Sequence, residues 1–137
     1  MLLVETRLAP SPIGGIGLFA DAPISRGQHV WRFTPGLDLV VPARLVRGLP
    51  EPAKTQFLRY SYLESTTNQY VLCFDDARFF NHSDEPNTES RSAPAGQEFD
   101  VANRDIATGE ELTCDYRDFD LEWETKLWRS SRSQIFA

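Results

Sequence analysis

The sequence is short of cysteine, lysine, positive charge and long apolar runs. Its 137 residues include two cysteines, Cys73 and Cys114, too few for a disulfide framework. They form no Cys-x-x-Cys pair, so the spacing of a structural zinc site is missing, and each reads as a small buried hydrophobe. No run of 18 apolar residues occurs, which excludes a transmembrane helix of that kind. Residues 1–7 are too short and too acidic for a signal peptide. The expected setting is therefore the cytoplasm, without membrane contact. Fourteen basic residues against 20 acidic ones leave a net charge of −6, which argues against direct binding to nucleic acid phosphates. Of the basic residues only Lys54 and Lys126 are lysines. No G-x-G-x-x-G opens a helix, so a dinucleotide fingerprint is excluded as well.

What is present suffices for a core. At 41% hydrophobic and 12% aromatic the chain reads as one domain over 1–137. Short runs at 2–8, 16–20, 29–33, 37–41, 69–75, 99–106 and 111–114 predict strands, and the turn-rich stretches between them predict tight connections. Residues 42–63 read as helical in part, with Pro50 and Pro52 suited to a helix start, and with Phe57, Leu58 and either Tyr60 or Tyr62 facing inward. Residues 90–97 read as a loop or hairpin connection. From Asp118 to Trp128 the pattern predicts an amphipathic helix, capped by Asp118 or Asp120, with Phe119, Trp123 and Leu127 in one stripe. Many short strands and few helices indicate a mainly β fold of small sheets.

Acid is concentrated late in the chain. Glu98, Asp100, Asp105, Glu110, Glu111, Asp115, Asp118, Asp120, Glu122 and Glu124 are opposed between them only by Arg104 and Arg117. Such a stretch is either a solvated polar face or an attractor for a cationic peptide.

Three segments carry chemistry. Gly14-Gly15-Ile16-Gly17 is either a tight turn or a place where a ligand approaches bare backbone. Asn81-His82-Ser83, flanked by Phe79-Phe80 and Pro86-Asn87, either caps a local turn or offers amide and imidazole groups to an ammonium or a purine edge. Gly109-Glu110-Glu111-Leu112-Thr113-Cys114-Asp115-Tyr116 ends on a tyrosine that is either a core-edge aromatic or a catalytic phenol. His29, within an apolar run, reads as structural.

In this order the three segments closely resemble the SET-domain family, over residues 13–116. Members of that family transfer methyl groups from S-adenosylmethionine to protein lysines. The resemblance implies a β-rich SET fold with a C-terminal pseudoknot. It implies that Gly15, Ile16, Gly17, Asn81, His82 and Tyr116 contact S-adenosylmethionine, and that Tyr116 is catalytic, with Tyr70 as a second active-site tyrosine. Tyr60, Tyr62, Phe119 and Trp123 become candidate walls of a substrate channel, which the C-terminal helix at 118–130 completes. Many relatives read Asn-His-Ser-Cys, where this chain has Asp84. The downstream cysteine cluster of those relatives is likewise missing, as in minimal bacterial and viral members, and no metal is expected. Where the family carries an acidic residue near Trp31, this chain reads Arg32-Phe33-Thr34.

Such a reaction needs little equipment. Methyl transfer from a sulfonium to an amine is an in-line displacement governed by positioning. The nucleophile is the neutral amine, and deprotonating a lysine of pKa roughly 10.4 costs about 4–5 kcal/mol at pH 7. An apolar channel and a nearby sulfonium both lower that cost. The expected partner is a basic protein or peptide carrying the target lysine; the oligomeric state is open, a dimer included. The alternatives are a non-catalytic module of the same fold that binds a cofactor or a basic peptide, and an unrelated β-rich interaction protein.

Overall fold

The computed structural model describes residues 1–94 and 96–127. Among these described residues, ten short strands form four small sheets, as the spacing of apolar runs and turns predicts. Strands β1 (Thr6–Pro10) and β2 (Ile16–Ala20) make a hairpin. Strand β3 (His29–Arg32) pairs with β9 (Glu98–Ala102), which pairs with β8 (Thr88–Ser92). Strand β4 (Leu39–Pro42) lies beside β6 (Gln69–Leu72), which also holds β5 (Tyr62–Leu63). The two helices with full bounds, α1 (Ala43–Arg47) and α2 (Ala53–Tyr60), fall within the expected helical region.

The fourth sheet matters most for the site. Strand β7 (Asn81–His82) and strand β10 (Thr113–Cys114) run parallel, in the register Thr113 to Asn81 and Cys114 to His82. This brings two segments far apart in sequence side by side, and it is what the structure shows of the expected pseudoknot. Asn87 locks the crossing. Buried at 4% exposure, it donates from Nδ2 to the Glu111 carbonyl at 2.8 Å and accepts the Thr113 N–H at 2.9 Å. Both halves of its amide are thus satisfied across the junction, as a buried amide requires.

Several boundaries differ from the sequence expectation, each for a visible reason. The first strand begins at Thr6 rather than residue 2, because residues 1–3 lie along β3 instead: Leu3 N–H bonds the Val30 carbonyl at 2.8 Å, and Leu2 bridges Trp31. Residues 90–92 are strand, and Ala93 donates its N–H to the Gln97 carbonyl at 2.8 Å beyond it. The predicted helix from Asp118 is broken. A 3₁₀ turn covers Tyr116–Asp118, and helix resumes over 123–127. Between them Leu121 donates its N–H to the Leu63 carbonyl at 3.0 Å, and Asp120 Oδ1 accepts the N–H groups of Leu63 and Glu122. Pairing with the β5 edge wins over continuing the helix, so Phe119 is not in helical register with Trp123. Trp128 lies outside the described residues.

The main core gathers Leu18, Val30, Trp31, Tyr62, Ile106 and Leu112 with Phe80 and Cys114. A smaller cluster of Ala43, Val46, Leu63 and Tyr70 is covered by Phe57 and Leu58 of α2. Both cysteines are free and buried; burial pushes the Cys73 thiol up to about 12 and the Cys114 thiol well above its ordinary value, so neither is a nucleophile at neutral pH. Among the described residues, no helix is long and apolar enough to cross a membrane.

Candidate active site

The glycine loop, β7 and the segment after β10 converge on one groove. Gly15 has φ +57°, and no atom lies within 4 Å of the place its Cβ would take. Its backbone therefore borders open space, as close ligand approach needs. Gly17 plays a different part, since a Cβ there would sit 2.6 Å from Glu111 Oε1. The Glu111 carboxylate, held by Ser11 Oγ at 3.0 Å, fills the room that this glycine leaves. Gly17 does not border the groove; it lets the loop pack closely against Glu111 and Ser11.

Asn81 and His82 brace the crossing. Asn81 Nδ2 donates to the Ile16 carbonyl at 3.3 Å, tying the glycine loop to β7. His82 Nδ1 accepts the Tyr116 N–H at 3.1 Å, and Nε2 lies 3.1 Å from Asp84 Oδ1. In the neutral ring this pattern puts the proton on Nε2. Both ring nitrogens are engaged within the protein, so the imidazole orients Tyr116 and offers the groove its backbone and ring face. Asp84 also pairs with Arg117 at 3.2 Å.

Tyr116 stands at the meeting point. Its hydroxyl donates to the Phe80 carbonyl, and its ring lies 5.4 Å from His82 and 5.9 Å from Phe119, the latter edge-on. Burial, with Cys114, Asp120 and Glu111 nearby, drives its ionisation far above the ordinary range, so the phenol stays neutral. On one side lies a wide groove of about 850 Å³ under Gly14, Gly15 and Ile16, also bordered by Asn81 and His82. On the other lies a narrow cavity of about 70 Å³ walled by Trp31, Tyr62, Phe80 and Phe119. Phe80, Tyr116, Tyr60 and Lys126 border both.

Tyr60, Tyr62 and Phe119 border the narrow cavity, and Tyr62 meets Phe119 edge-on at 5.1 Å. Tyr70 and Trp123 do not. Tyr70 is 2% exposed in the smaller cluster, edge-on to Phe57 at 6.3 Å, with its hydroxyl on Glu122; its position on β6 faces α2 and not the groove. Trp123 starts the last helical stretch and borders neither cavity, because the break at 119–122 removes it from the Phe119 face.

The sequence reading missed the polar floor of the narrow cavity. Glu98 and Asp100 alternate along β9 and so share one face. Tyr62 donates its hydroxyl to Glu98 at 3.0 Å, and Ser90 donates to Asp100 at 2.8 Å. Burial pushes Asp100 up to about 7 and raises Glu98 as well. Trp31 Nε1 and Ser61 Oγ, both on this cavity, are buried without a hydrogen-bond partner among the described residues. Such atoms are normally satisfied, and a polar guest would satisfy them. The acidic composition of the segment was visible in sequence; that two of its carboxylates face inward was not. Among the described residues no group of three or more His, Cys, Asp or Glu side chains is placed to hold a metal ion.

Comparison with known proteins gives the family. The SET domain family matches residues 15–117. The chain belongs to the SET-domain family. It is 34% identical over 126 residues to the histone-lysine N-methyltransferase ATX2 of Arabidopsis thaliana; the match takes in 82% of the chain but spans only 11% of that protein. Two solved structures share the SET fold. One is a candidate histone methyltransferase of Plasmodium falciparum, with a TM-score of 0.59 at 18% identity, covering 84% of this chain and 95% of that one. The other is a humanized Polycomb Repressive Complex 2 of Chaetomium thermophilum bound to an inhibitor, with a TM-score of 0.65 at 21% identity, covering 85% of this chain and 15% of that one.

Proposed function

We propose that this SET domain transfers a methyl group from S-adenosylmethionine to the side-chain amine of a lysine on a basic protein or peptide. The observation that carries the reading is the position of Tyr116, on the border between a wide groove under a glycine loop and a narrow aromatic cavity. The groove fits the donor: Gly15 leaves its backbone open, and the fixed side chains of Asn81 and His82 hold the loop and Tyr116 around it. When bound, the donor supplies an electrophilic methyl on a positively charged sulfur.

The residues of the chain supply the rest. The narrow cavity takes an extended aliphatic side chain against the faces of Tyr62 and Phe119, which excludes water and favours the neutral amine. The Phe80 carbonyl and the neutral Tyr116 hydroxyl orient that amine toward the groove. Glu98 and Asp100 give the cavity a carboxylate floor, whose negative charge is completed as pH rises above about 7 and attracts a cationic side chain before it loses its proton.

Calorimetry with S-adenosylmethionine tests the groove. Binding in the wild type, weakened by Gly15→Val, is expected; no heat and no thermal shift would refute the reading. Because proton loss from the substrate lysine precedes attack, the transfer rate should climb from neutral pH to about pH 9. A flat profile would contradict this order of events.

A further inference from the structure

The narrow cavity is bordered by a lysine of the chain itself. Lys126 is one of only two lysines in a sequence with 12 arginines, and it reaches into the junction between cavity and groove. Its Nζ stands 5.6 Å from the centroid of the Tyr116 ring, donates to the Ser61 carbonyl and lies 2.6 Å from Asp120 Oδ2. Only 20% of its side chain is exposed, and none of Asp120's. Asp120 is itself fixed through Oδ1 by the N–H groups of Leu63 and Glu122. Oδ2 makes an ion pair with Lys126 but no aligned hydrogen bond. An ammonium over a tyrosine face, against a backbone carbonyl and next to a donor groove, is placed as a methyl-accepting lysine would be.

We propose that Lys126 is a self-methylation site, modified by its own SET domain; this rests on the methyl-transfer reading above. The Lys126 ammonium, whose side chain is 20% exposed, gives a proton to solvent. The freed Nζ lone pair then forms a bond to the donor's methyl carbon while the carbon–sulfur bond breaks, its electron pair staying on sulfur. The product is a methylammonium on Lys126, paired with the Asp120 carboxylate, and a neutral thioether. Lys54, on α2, borders neither cavity and serves as the internal control.

Two measurements test this. In the first, the purified chain is incubated with methyl-labelled S-adenosylmethionine, alone and with a lysine-containing basic peptide, and the label is mapped by mass spectrometry. Label on Lys126 is expected, at a rate constant unchanged by roughly tenfold dilution because the step is intramolecular. It should be lost in Lys126→Arg and kept in Lys54→Arg. If the peptide is labelled while Lys126 is not, or if labelling of Lys126 scales with protein concentration, self-methylation within one chain is wrong and the lysine methyltransferase reading stands. If neither peptide nor chain is labelled, both are wrong. The second measurement needs no donor: an amine-acylating reagent should modify Lys126 several-fold more slowly than Lys54, and Asp120→Asn should narrow the gap. Equal rates in the wild type would overturn the placement of Lys126 in the cavity.

Discussion

Tyr70 and Tyr116 lie in the two apolar clusters of the molecule and meet different surroundings. Tyr70 projects from the regular strand β6 onto α2, where Phe57, Leu63 and Val46 enclose it. Tyr116 follows a two-residue strand at a chain crossing, with its N–H on His82 and its hydroxyl on the Phe80 carbonyl. Regular pairing turns an aromatic ring into packing. An irregular crossing leaves backbone carbonyls and space beside the ring, and that is where chemistry becomes possible. The contrast also explains why the smaller cluster borders the groove only through α2, whereas the main core builds both cavities.

The largest test of the contrast is truncation of the cores. Leu112→Ala, at a residue with no exposure in the main cluster, should cost about 2–5 kcal/mol in denaturant unfolding and weaken donor binding, since Leu112 adjoins the crossing. Val46→Ala, equally buried in the smaller cluster, should cost about 2 kcal/mol with donor affinity preserved. Equal losses of affinity would erase the distinction between the clusters.

A pH series probes the cavity floor next. Asp100 titrates at about 7 in the folded protein through burial, against roughly 3.9 in an unfolded chain. Between those values the folded state binds the extra proton. The contribution of Asp100 to stability is therefore full at low pH and lost as pH rises from about 4 through 7. Asp100→Asn should remove this decline and make the variant more stable than wild type at pH 8, by on the order of 2–4 kcal/mol. Parallel pH profiles for the two proteins would show that Asp100 does not face a buried cavity. Smallest is Tyr70→Phe, which removes one hydroxyl contact to Glu122. It should cost about 1 kcal/mol and leave methyl transfer within about twofold. A large loss of activity would restore Tyr70 to the site.

The crossing segments were readable from sequence because they combine features that rarely coincide: a turn glycine at Gly109, the paired aromatics Phe79 and Phe80, and amide and imidazole side chains at Asn81 and His82. Which aromatics border the narrow cavity was not readable. Tyr60, Tyr62 and Tyr70 are similar in local pattern, and only the pairing of β5 with β6 separates the cavity face from the α2 face. The stripe of Phe119, Trp123 and Leu127 had helical spacing, but spacing says nothing of the competing hydrogen bonds that Leu63 offers to residues 120 and 121. The roles of Gly17, Asp84 and Lys126 likewise depend on partners between 2 and 94 positions away. Local pattern specifies an element; the contacts that give it a function are mostly distant in sequence.

All of this turns on Tyr116 acting where groove and cavity join. The decisive experiment is transfer of labelled methyl from S-adenosylmethionine to a basic peptide, comparing wild type with Tyr116→Phe under conditions where both are folded. Label on the peptide lysine is expected, reduced about 100-fold or more in the variant. Label at the same rate in both proteins would show that the Tyr116 hydroxyl has no part in the transfer.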